Sequence, residues 1–230
     1  MSFQNNTIAY KANTIGNLDN LINEFEDSNY FKILNLDKNK KTFSICIREE
    51  YWKSDKKSIE KLEKEICKLV DFIISLGNTQ VLFIPNCYYG KGHYLEDDRK
   101  INFRVKQRIK KKQNVHFIEQ KLNIYETVSL FELIDIHISN RRHSNIFSAL
   151  FFKPFIPINT SLSTHISGFI NSLFLSDLLV SSDNFSNELE NKIILILNNY
   201  EKIQNNLKEL IPEQQKKGLL SALEITKSIQ

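Results

Sequence analysis

Apolar and polar residues alternate along the middle of the chain in blocks of two kinds. Short blocks that are apolar almost throughout, and rich in β-branched residues, predict buried strands. Longer blocks with an apolar residue every three to four positions predict amphipathic helices. The predicted strands are 42–48, 80–85, 115–120, 133–139 and 154–159, and the helices between and after them are 54–78, 99–112, 124–132, 142–152 and 163–175.

The longest predicted helix has recognisable signals at both ends. Ser54 or Asp55 can cap its first turn, and Gly77 and Asn78 can adopt the left-handed backbone that ends a helix. Strands that are apolar on both faces and separated by helices indicate a parallel sheet covered on both sides. Crossovers between such strands are right-handed, so we predict an α/β fold, a Rossmann-like parallel sheet with helices on both faces.

The two ends of the chain differ from this middle part. Residues 1–41 are polar and rich in asparagine, and they predict an N-terminal helical and linker segment before a Rossmann-like domain at 42–180. Residues 181–230 predict C-terminal helices, divided at Pro212. The apolar stripe in "IILILNNYEKI" (193–203) either packs on the protein's own sheet or docks a partner subunit or a second copy.

Composition and charge narrow the class of protein. With 230 residues, 41% hydrophobic and 25% charged, the chain is typical of soluble proteins. The net charge of +4 is only mildly basic, and the basic residues gather in "RVKQRIKKKQ" (104–113). That run is either a solvated helix face or an attraction for acidic substrates or anionic lipids. We expect no nucleic-acid partner and at most peripheral membrane contact.

The first residues contain no apolar segment of signal-peptide length, and no apolar run approaches about 18 residues, so we expect the chain in the cytoplasm or at the inner face of the membrane. Cys46, Cys67 and Cys87 lie far apart without metal-ligand spacing, and the first two are expected to be reduced core residues. With 6 glycines and no glycine-rich phosphate loop, dinucleotide binding is not expected. We predict neither a metal nor a bound cofactor.

Ionisable and polar side chains recur where the predicted strands end. In an open parallel sheet, ligands bind outside the carboxyl ends of the strands. The candidate contacts are Arg48 after the first strand, Asp98 and Arg99 after the second, Arg141, Arg142, His143 and Ser144 after the fourth, and Asn159 and His165 after the fifth.

The stretch "ISNRRHSNIF" (138–147) carries the clearest chemistry. A helix that begins near Arg141 or Arg142 points backbone N–H groups outward, and its dipole favours an anion. Arginine adds a forked, permanent cation, and histidine can move a proton near neutral pH. The expected ligand therefore carries a phosphate, a carboxylate or both.

Structural readings of the same residues stay open at this point. Arg142 could pair with Glu119 or Asp135, and Arg48 could neutralise Glu49 or Asp97. His137 alternates within a buried strand, which favours a hydrogen-bonded core histidine.

The text "SNRRHSNIFSALFFKPFIPINTSLSTHISGFINSLFL" resembles the polysaccharide pyruvyl transferase family. The family's Arg-Leu-His motif lies between a strand and an (I/L)FA helix, followed by a (K/G)-P-(F/V)-I strand. Looser similarity upstream, in "ICIREEYW", "LGNTQVLFIP", "EDDR" and "YETVSLFELIDIHIS", extends the resemblance to about residues 42–175.

This resemblance implies one half of a glycosyltransferase-B-like (GT-B) architecture and the transfer of a pyruvyl group from phosphoenolpyruvate to a sugar, forming a ketal. Carried over, the motif's arginine and histidine are Arg141 and His143, which would contact the donor. A nucleotide-sugar glycosyltransferase and a non-catalytic anion-binding or assembly module are the alternatives. The donor and a saccharide acceptor would be the small-molecule partners.

Three features depart from the family pattern. Arg142 stands where the motif has leucine, and "TSLSTH" puts His165 where the family often has the lysine of Tyr-Asp-Pro-Lys. About 40 residues precede the first predicted strand, too few for the family's N-terminal domain. A partner subunit, self-pairing through residues 187–230, or loss of catalysis would each account for that difference.

Overall fold

The structure, a computed structural model, describes residues 36–49, 55–88, 97–159, 164–181 and 185–229. The predicted N-terminal segment therefore lies almost entirely outside the described residues, and so does the side chain of His165. The proposed division at residues 41 and 180 stays a prediction.

Six parallel strands form one continuous sheet in the described part of the chain. They are β1 (Lys41–Cys46), β2 (Thr79–Phe83), β3 (Val115–Phe117), β4 (Ile136–Ser139), β5 (Phe155–Asn159) and β6 (Val180–Ser181). Their spatial order is β3-β2-β1-β4-β5-β6. The predicted α/β class with a parallel sheet is confirmed, and β6 is an additional strand, too short at two residues for a sequence pattern to indicate.

Seven α-helices accompany these strands within the described ranges. They are α1 (Lys56–Ser75), α2 (Asp98–Arg108), α3 (Ile124–Ser129), α4 (Arg142–Leu150), α5 (Thr164–Ser172), α6 (Phe185–Asn198) and α7 (Tyr200–Ile229). Every residue of β2 and β4 is buried, so helices cover both faces of the sheet. The described residues contain no helix with both the length and the apolar character needed to cross a bilayer.

The strand order creates a switch point between β1 and β4. From β1 the chain moves outward through β2 to β3, and it then returns to place β4 on the other side of β1. Right-handed crossovers on the two sides of β1 put the connecting helices on opposite faces. Cys46 is in register with Ser139, so β1 and β4 end level with each other and their following loops diverge.

The ends of α1 follow the predicted signals. The side chain of Asp55 caps the helix by accepting the backbone N–H of Ser58 at 2.9 Å. At the other end, Gly77 and Asn78 have φ angles of 75° and 49°, in the left-handed region.

The C-terminal helices divide at Asn199, so the predicted division at Pro212 is wrong. The side-chain amide of Asn199 donates to the Leu195 carbonyl at 2.9 Å, and its own carbonyl accepts the Ile203 N–H at 3.0 Å. Asn199 therefore satisfies the end of one helix and the start of the next. α7 continues through Pro212, and Ile203, Leu207 and Ile211 form a buried stripe along the part of the helix before the proline.

His137 is a core histidine, as predicted. It lies in β4 without solvent exposure, its Nδ1 is 2.7 Å from the Ser44 hydroxyl, and Phe131 contacts the ring edge-on at 5.0 Å between centroids. Burial lowers the pKa of His137 to about 3, so the ring is neutral in the folded protein at ordinary pH.

We expect His137 to make folding stability depend on pH. Between pH 6.5 and about 3 the unfolded chain protonates this ring and the folded chain does not, so the free energy of unfolding falls as pH falls through that window. The steepest contribution is about 1.4 kcal/mol per pH unit. His137→Asn should lower stability at pH 7 and flatten the decline between pH 6.5 and 4.5, measured by urea unfolding. His116→Gln is the control, and an identical pH slope in wild type and His137→Asn would contradict this assignment.

Candidate active site

The ends of β1 and β4 are fastened to each other by one side chain. The Asn140 amide accepts the Arg48 backbone N–H at 2.7 Å and donates to the Arg48 carbonyl at 2.8 Å. This two-bond contact closes the gap between the diverging loops and holds the backbone at the switch point. The predicted contact residue Arg48 is therefore positioned at this edge of the sheet by its main chain.

A pair of buried serines fixes the start of α4. The Ser139 hydroxyl accepts the Arg141 backbone N–H at 2.8 Å and lies 2.7 Å from the Cys46 carbonyl and from the Ser144 hydroxyl. Ser144 in turn bonds the Arg141 carbonyl at 2.9 Å. Ser144 is buried, so the structure places this predicted substrate contact inside the protein as part of the framework.

Cys46 lies next to this network and is fully buried. Burial raises the pKa of its thiol to about 12, with the Asp98 charge acting in the same direction. The thiol is therefore un-ionised and unreactive, as the prediction of a reduced core cysteine requires. Cys67, predicted to be a core residue as well, is only partly buried.

A buried ion pair joins α4 to α2. The Arg141 guanidinium contacts one oxygen of Asp98 at 2.5 Å through a terminal nitrogen and at 3.2 Å through Nε. The other Asp98 oxygen accepts the backbone N–H groups of Asn86 and Cys87, each at 3.0 Å. The two side chains are only 12% and 1% exposed, so the pair is shielded from water.

Burial and the contacts between Asp98 and Arg141 together shift the pKa values of both side chains. Burial raises the pKa of Asp98, while the Arg141 guanidinium and the two backbone N–H groups oppose that effect. Burial by itself would lower the pKa of Arg141, but the charge and the hydrogen bonds of Asp98 act in the opposite direction, and the pKa of Arg141 is raised. Asp98 and Arg141, both predicted ligand contacts, are thus brought together and bind each other.

Arg142 and His143 occupy the first turn of α4 and are partly exposed. Burial, together with the charges of Arg142 and Arg141, lowers the pKa of His143 below its ordinary 6.5. The imidazole is therefore neutral at pH 7. Within the part of the chain that the structure describes, neither side chain has a hydrogen-bond or ion-pair partner.

The carboxylates considered from sequence as ion-pair partners of Arg142 bind other groups. Glu119 pairs with Lys106, and the Asp135 carboxylate accepts the Thr42 backbone N–H at 2.7 Å. Glu49, considered from sequence as a partner of Arg48, pairs with Arg104. The Arg142–Glu119 and Arg142–Asp135 pairings considered from sequence are therefore wrong.

The remaining predicted contacts are dispersed. Arg99 pairs with Asp97 at 2.5 Å and lies over the Tyr88 ring, 5.2 Å from its centroid. Asn159 ends β5, one strand beyond β4. The side chain of His165 is outside the described residues. Asn140, which sequence reasoning did not single out among the site residues, carries the contact to Arg48; its place directly after β4 was the available signal.

A sequence model of the family described as polysaccharide pyruvyl transferase matches residues 14–161, more than half of the chain. No protein of curated function matches the sequence. Similarity to solved structures supports the fold alone, because the sequence identities are low.

Three solved structures illustrate that similarity. An α,α-trehalose-phosphate synthase (UDP-forming) from Burkholderia vietnamiensis aligns with a TM-score of 0.61 and 12% identity, over 92% of this chain and 50% of that one. UDP-GlcNAc 2-epimerase from Neisseria meningitidis, bound to UDP-GlcNAc, aligns with a TM-score of 0.56 and 11% identity, over 90% and 52%. The C-terminal domain of a glycosyl transferase group 1 family protein from Francisella tularensis gives 0.51 and 14%, over 75% and 85%.

These alignments bear on how much of a GT-B architecture the chain contains. The chain spans about half the length of the trehalose-phosphate synthase and epimerase structures, but it covers most of the isolated C-terminal domain. The predicted single half of a GT-B-like architecture agrees with these proportions.

Replacing Asp98 by asparagine should leave the charged, buried guanidinium of Arg141 without its carboxylate. We expect the free energy of unfolding to fall by about 3–5 kcal/mol, measured by urea denaturation. Asp97→Asn, next to it, keeps an N-cap side chain and removes the charge of a more exposed ion pair, so it should cost about 1 kcal/mol or less. The double variant Asp98→Asn/Arg141→Met should lose less than the sum of its single changes. Equal costs for Asp97→Asn and Asp98→Asn would show that the pair is not important for stability.

Proposed function

Because the chain belongs to the polysaccharide pyruvyl transferase family, we propose that it is a polysaccharide-modifying transferase whose donor is phosphoenolpyruvate. In the proposed reaction, a pyruvyl group becomes attached to two hydroxyl groups of a saccharide as a cyclic ketal. Family membership supports the reaction class, and the charge distribution at the carboxyl edge of the sheet supports the anionic donor.

The observation that carries the proposal is the position of Arg142 and His143. Both lie in the first turn of α4, at the switch point where ligands bind open α/β sheets. The N–H groups and dipole of this helix end favour an anion, and Arg142 can hold a phosphate or carboxylate through two parallel hydrogen bonds. Phosphoenolpyruvate presents both groups.

In this proposal Arg141 is a positioning residue. Together with Asp98 it forms a nearly neutral unit, so it adds less attraction for an anion than an unpaired arginine would. Its role is to hold the start of α4 against the start of α2. Arg142, absent from the family's motif, supplies the exposed cation in its place.

His143 has the chemistry needed for the transfer. Binding of the anionic donor favours the imidazolium form of His143, which then gives a proton to the methylene carbon of the donor; this carbon becomes a methyl group and the neighbouring carbon becomes electrophilic. The two saccharide hydroxyls each form a C–O bond to that carbon, while its bond to the phosphate oxygen breaks. One hydroxyl proton returns to His143 and the other leaves with the phosphate, so atoms and charge balance.

We further propose that a second domain or chain completes the site, since the chain spans about half of the GT-B structures that it resembles. On α6, within the apolar stripe of residues 193–203, Ile194 and Leu195 are 40% and 38% exposed and offer an apolar contact. A partner subunit and a second copy of this chain are distinguished by the molecular mass in solution. The cytoplasm, or the inner face of the membrane, is the proposed location.

Phosphoenolpyruvate should bind the purified chain saturably, measured by isothermal titration. Arg142→Gln and His143→Gln should each weaken binding about tenfold or more, because each removes a charge-assisted contact to the anion. Lys111→Gln is the matched control, since it removes an exposed cation away from α4, and its affinity should equal that of wild type.

Equal affinities for wild type and the two α4 variants would reject the donor site. Thermal protection by uridine diphosphate, without protection by phosphoenolpyruvate, would instead favour a nucleotide-sugar glycosyltransferase.

The affinity for phosphoenolpyruvate should rise as pH falls. His143 has a lowered pKa and is neutral in the unliganded protein at pH 7. A bound anion raises the pKa of the imidazole, so His143 takes up a proton when the donor binds. Titration at pH 7.5 and 6.0, in buffers of different ionisation enthalpy, measures that uptake. The donor's own phosphate titrates equally with every variant, so the expected result is a smaller pH effect in His143→Gln. An unchanged pH effect would remove His143 from the site.

A further inference from the structure

Residues 99–118 are strongly basic, with eight lysines and arginines and no acidic residue. Four of these cations lie on α2 and form ion pairs with carboxylates: Arg99, Arg104, Lys106 and Arg108. The three lysines that follow the helix, Lys110, Lys111 and Lys112, are exposed, and their side chains form no hydrogen bond or ion pair within the described part of the chain. Their charges are therefore available to a partner of opposite charge.

The backbone holds these three lysines in a fixed position. Before them, Ile109 is only 5% exposed, and its N–H donates to the Val105 carbonyl at 3.0 Å. After them, the Asn114 carbonyl accepts the Val81 N–H at 2.8 Å. The lysines therefore lie in a short segment that is fastened to α2 on one side and to the sheet on the other.

A distant segment adds a fourth lysine to this surface. Lys38 lies in the turn before β1, is exposed, and has no side-chain partner among the residues that the structure describes. Lys40 donates to the Asn114 side chain at 2.8 Å, which brings this turn beside the segment before β3. The carboxylate of the turn, Asp37, accepts the Asn39 N–H at 2.9 Å and lies 3.5 Å from Lys40. Lys38 and the three lysines before β3 together form the lysine patch.

An exposed aromatic ring lies on the helix that leads into the lysine patch. Phe103 is 60% exposed although it is a large apolar residue. Phe103, Gln107 and Lys110 are all exposed, and their spacing of four and then three residues places them along one side of α2 and its end. This side of the protein therefore combines an apolar ring with a group of unpaired cations.

That combination suits the surface of an anionic bilayer. Each lysine near such a surface strengthens binding by about fivefold, and the effects of clustered lysines add. Stable peripheral binding takes a second signal, such as an apolar group that enters the headgroup layer. Nucleic-acid sites typically use arginine forks and aromatic rings placed among the cations. The unpaired cations here are lysines at one end of the surface, which favours a membrane.

The position of the lysine patch is compatible with the candidate donor site. The lysines precede β1 and β3, so they lie at the amino edge of the sheet. The first turn of α4 lies at the opposite, carboxyl edge. Contact between the lysine patch and a bilayer therefore leaves that site accessible to substrates.

We propose that the lysine patch and Phe103 dock the protein on membranes that contain anionic phospholipids. The lysines bind the phosphate groups of the headgroups, and the Phe103 ring enters the headgroup layer. This inference does not rest on the proposed transfer reaction, because it concerns the surface that holds the protein and not the donor that it uses.

Binding is tested by co-sedimentation of the full chain with vesicles of equal parts phosphatidylcholine and phosphatidylglycerol, and with vesicles of phosphatidylcholine alone. We expect binding to the anionic vesicles only, and it should weaken as salt is added, because salt screens the attraction. Lys110→Gln/Lys111→Gln/Lys112→Gln should weaken binding about thirtyfold or more. Phe103→Ser should weaken it about fivefold or more.

Matched control variants make the same changes elsewhere on the surface. Lys57→Gln/Lys208→Gln/Lys216→Gln removes three exposed lysines, one from the start of α1 and two from α7. Phe174→Ser removes a ring that is 78% exposed and follows α5. Both controls should bind the anionic vesicles within about twofold of wild type, because their changes lie away from the docked surface.

The inference is overturned if wild type binds neither kind of vesicle or binds both equally. Equal losses in the two triple variants would reduce the effect to net charge and would also reject the lysine patch. Salt-sensitive binding of a DNA oligonucleotide that requires the three lysines before β3, without any vesicle binding, would assign the patch to nucleic acid.

The result is distinguishable from a test of the proposed function. Phosphoenolpyruvate binding by a chain that does not bind vesicles rejects the membrane surface alone. Vesicle binding by a chain that does not respond to phosphoenolpyruvate rejects the donor alone.

Discussion

Asp98 and Arg141 are 43 residues apart in the chain and form the buried contact around which the carboxyl edge of the sheet is organised. The two oxygens of Asp98 bind different groups, since one contacts Arg141 and the other holds two backbone N–H groups of the segment that follows β2. Two charges so far from water are stable only when they remain together and fully hydrogen-bonded. The positions of α2, α4 and the segment after β2 therefore depend on one another.

This constraint explains why three neighbouring residues, Arg141, Arg142 and His143, differ in role. Arg141 is the N-cap of α4 and has extended backbone, which differs from the helical backbone of the two residues that follow. Its side chain reaches the Asp98 carboxylate, while those of Arg142 and His143 remain partly exposed. Of the three residues, Arg141 therefore holds the helix start in place, whereas Arg142 and His143 are available to a ligand.

The same sheet edge offers two surfaces of different character. At the switch point, a helix start, an arginine and a neutral histidine suit a small, multiply charged ligand. Beyond β2, a groove between α2 and the end of β3 exposes the ring of Phe103, while its cations Arg99, Arg104 and Lys106 are paired with carboxylates. Structures with the same fold and about 12% identity do not identify these ligands, because function depends on the side chains at such edges and not on the sheet beneath.

The local pattern alone determined five of the six strands, the approximate starts of the five helices that follow them and the α/β class, because burial on both faces and helical periodicity are properties of neighbouring residues. It also placed His137 in the core and located the cationic cluster at the end of β4. The sequence could not determine which cation would be paired, since Asp98 reaches Arg141 only after the strand order brings α2 and α4 together. The continuation of α7 through Pro212 also departs from the local expectation that a proline ends a helix. The groove beside α2 is a product of tertiary structure, since its walls come from a helix and a strand that meet only when the sheet is formed.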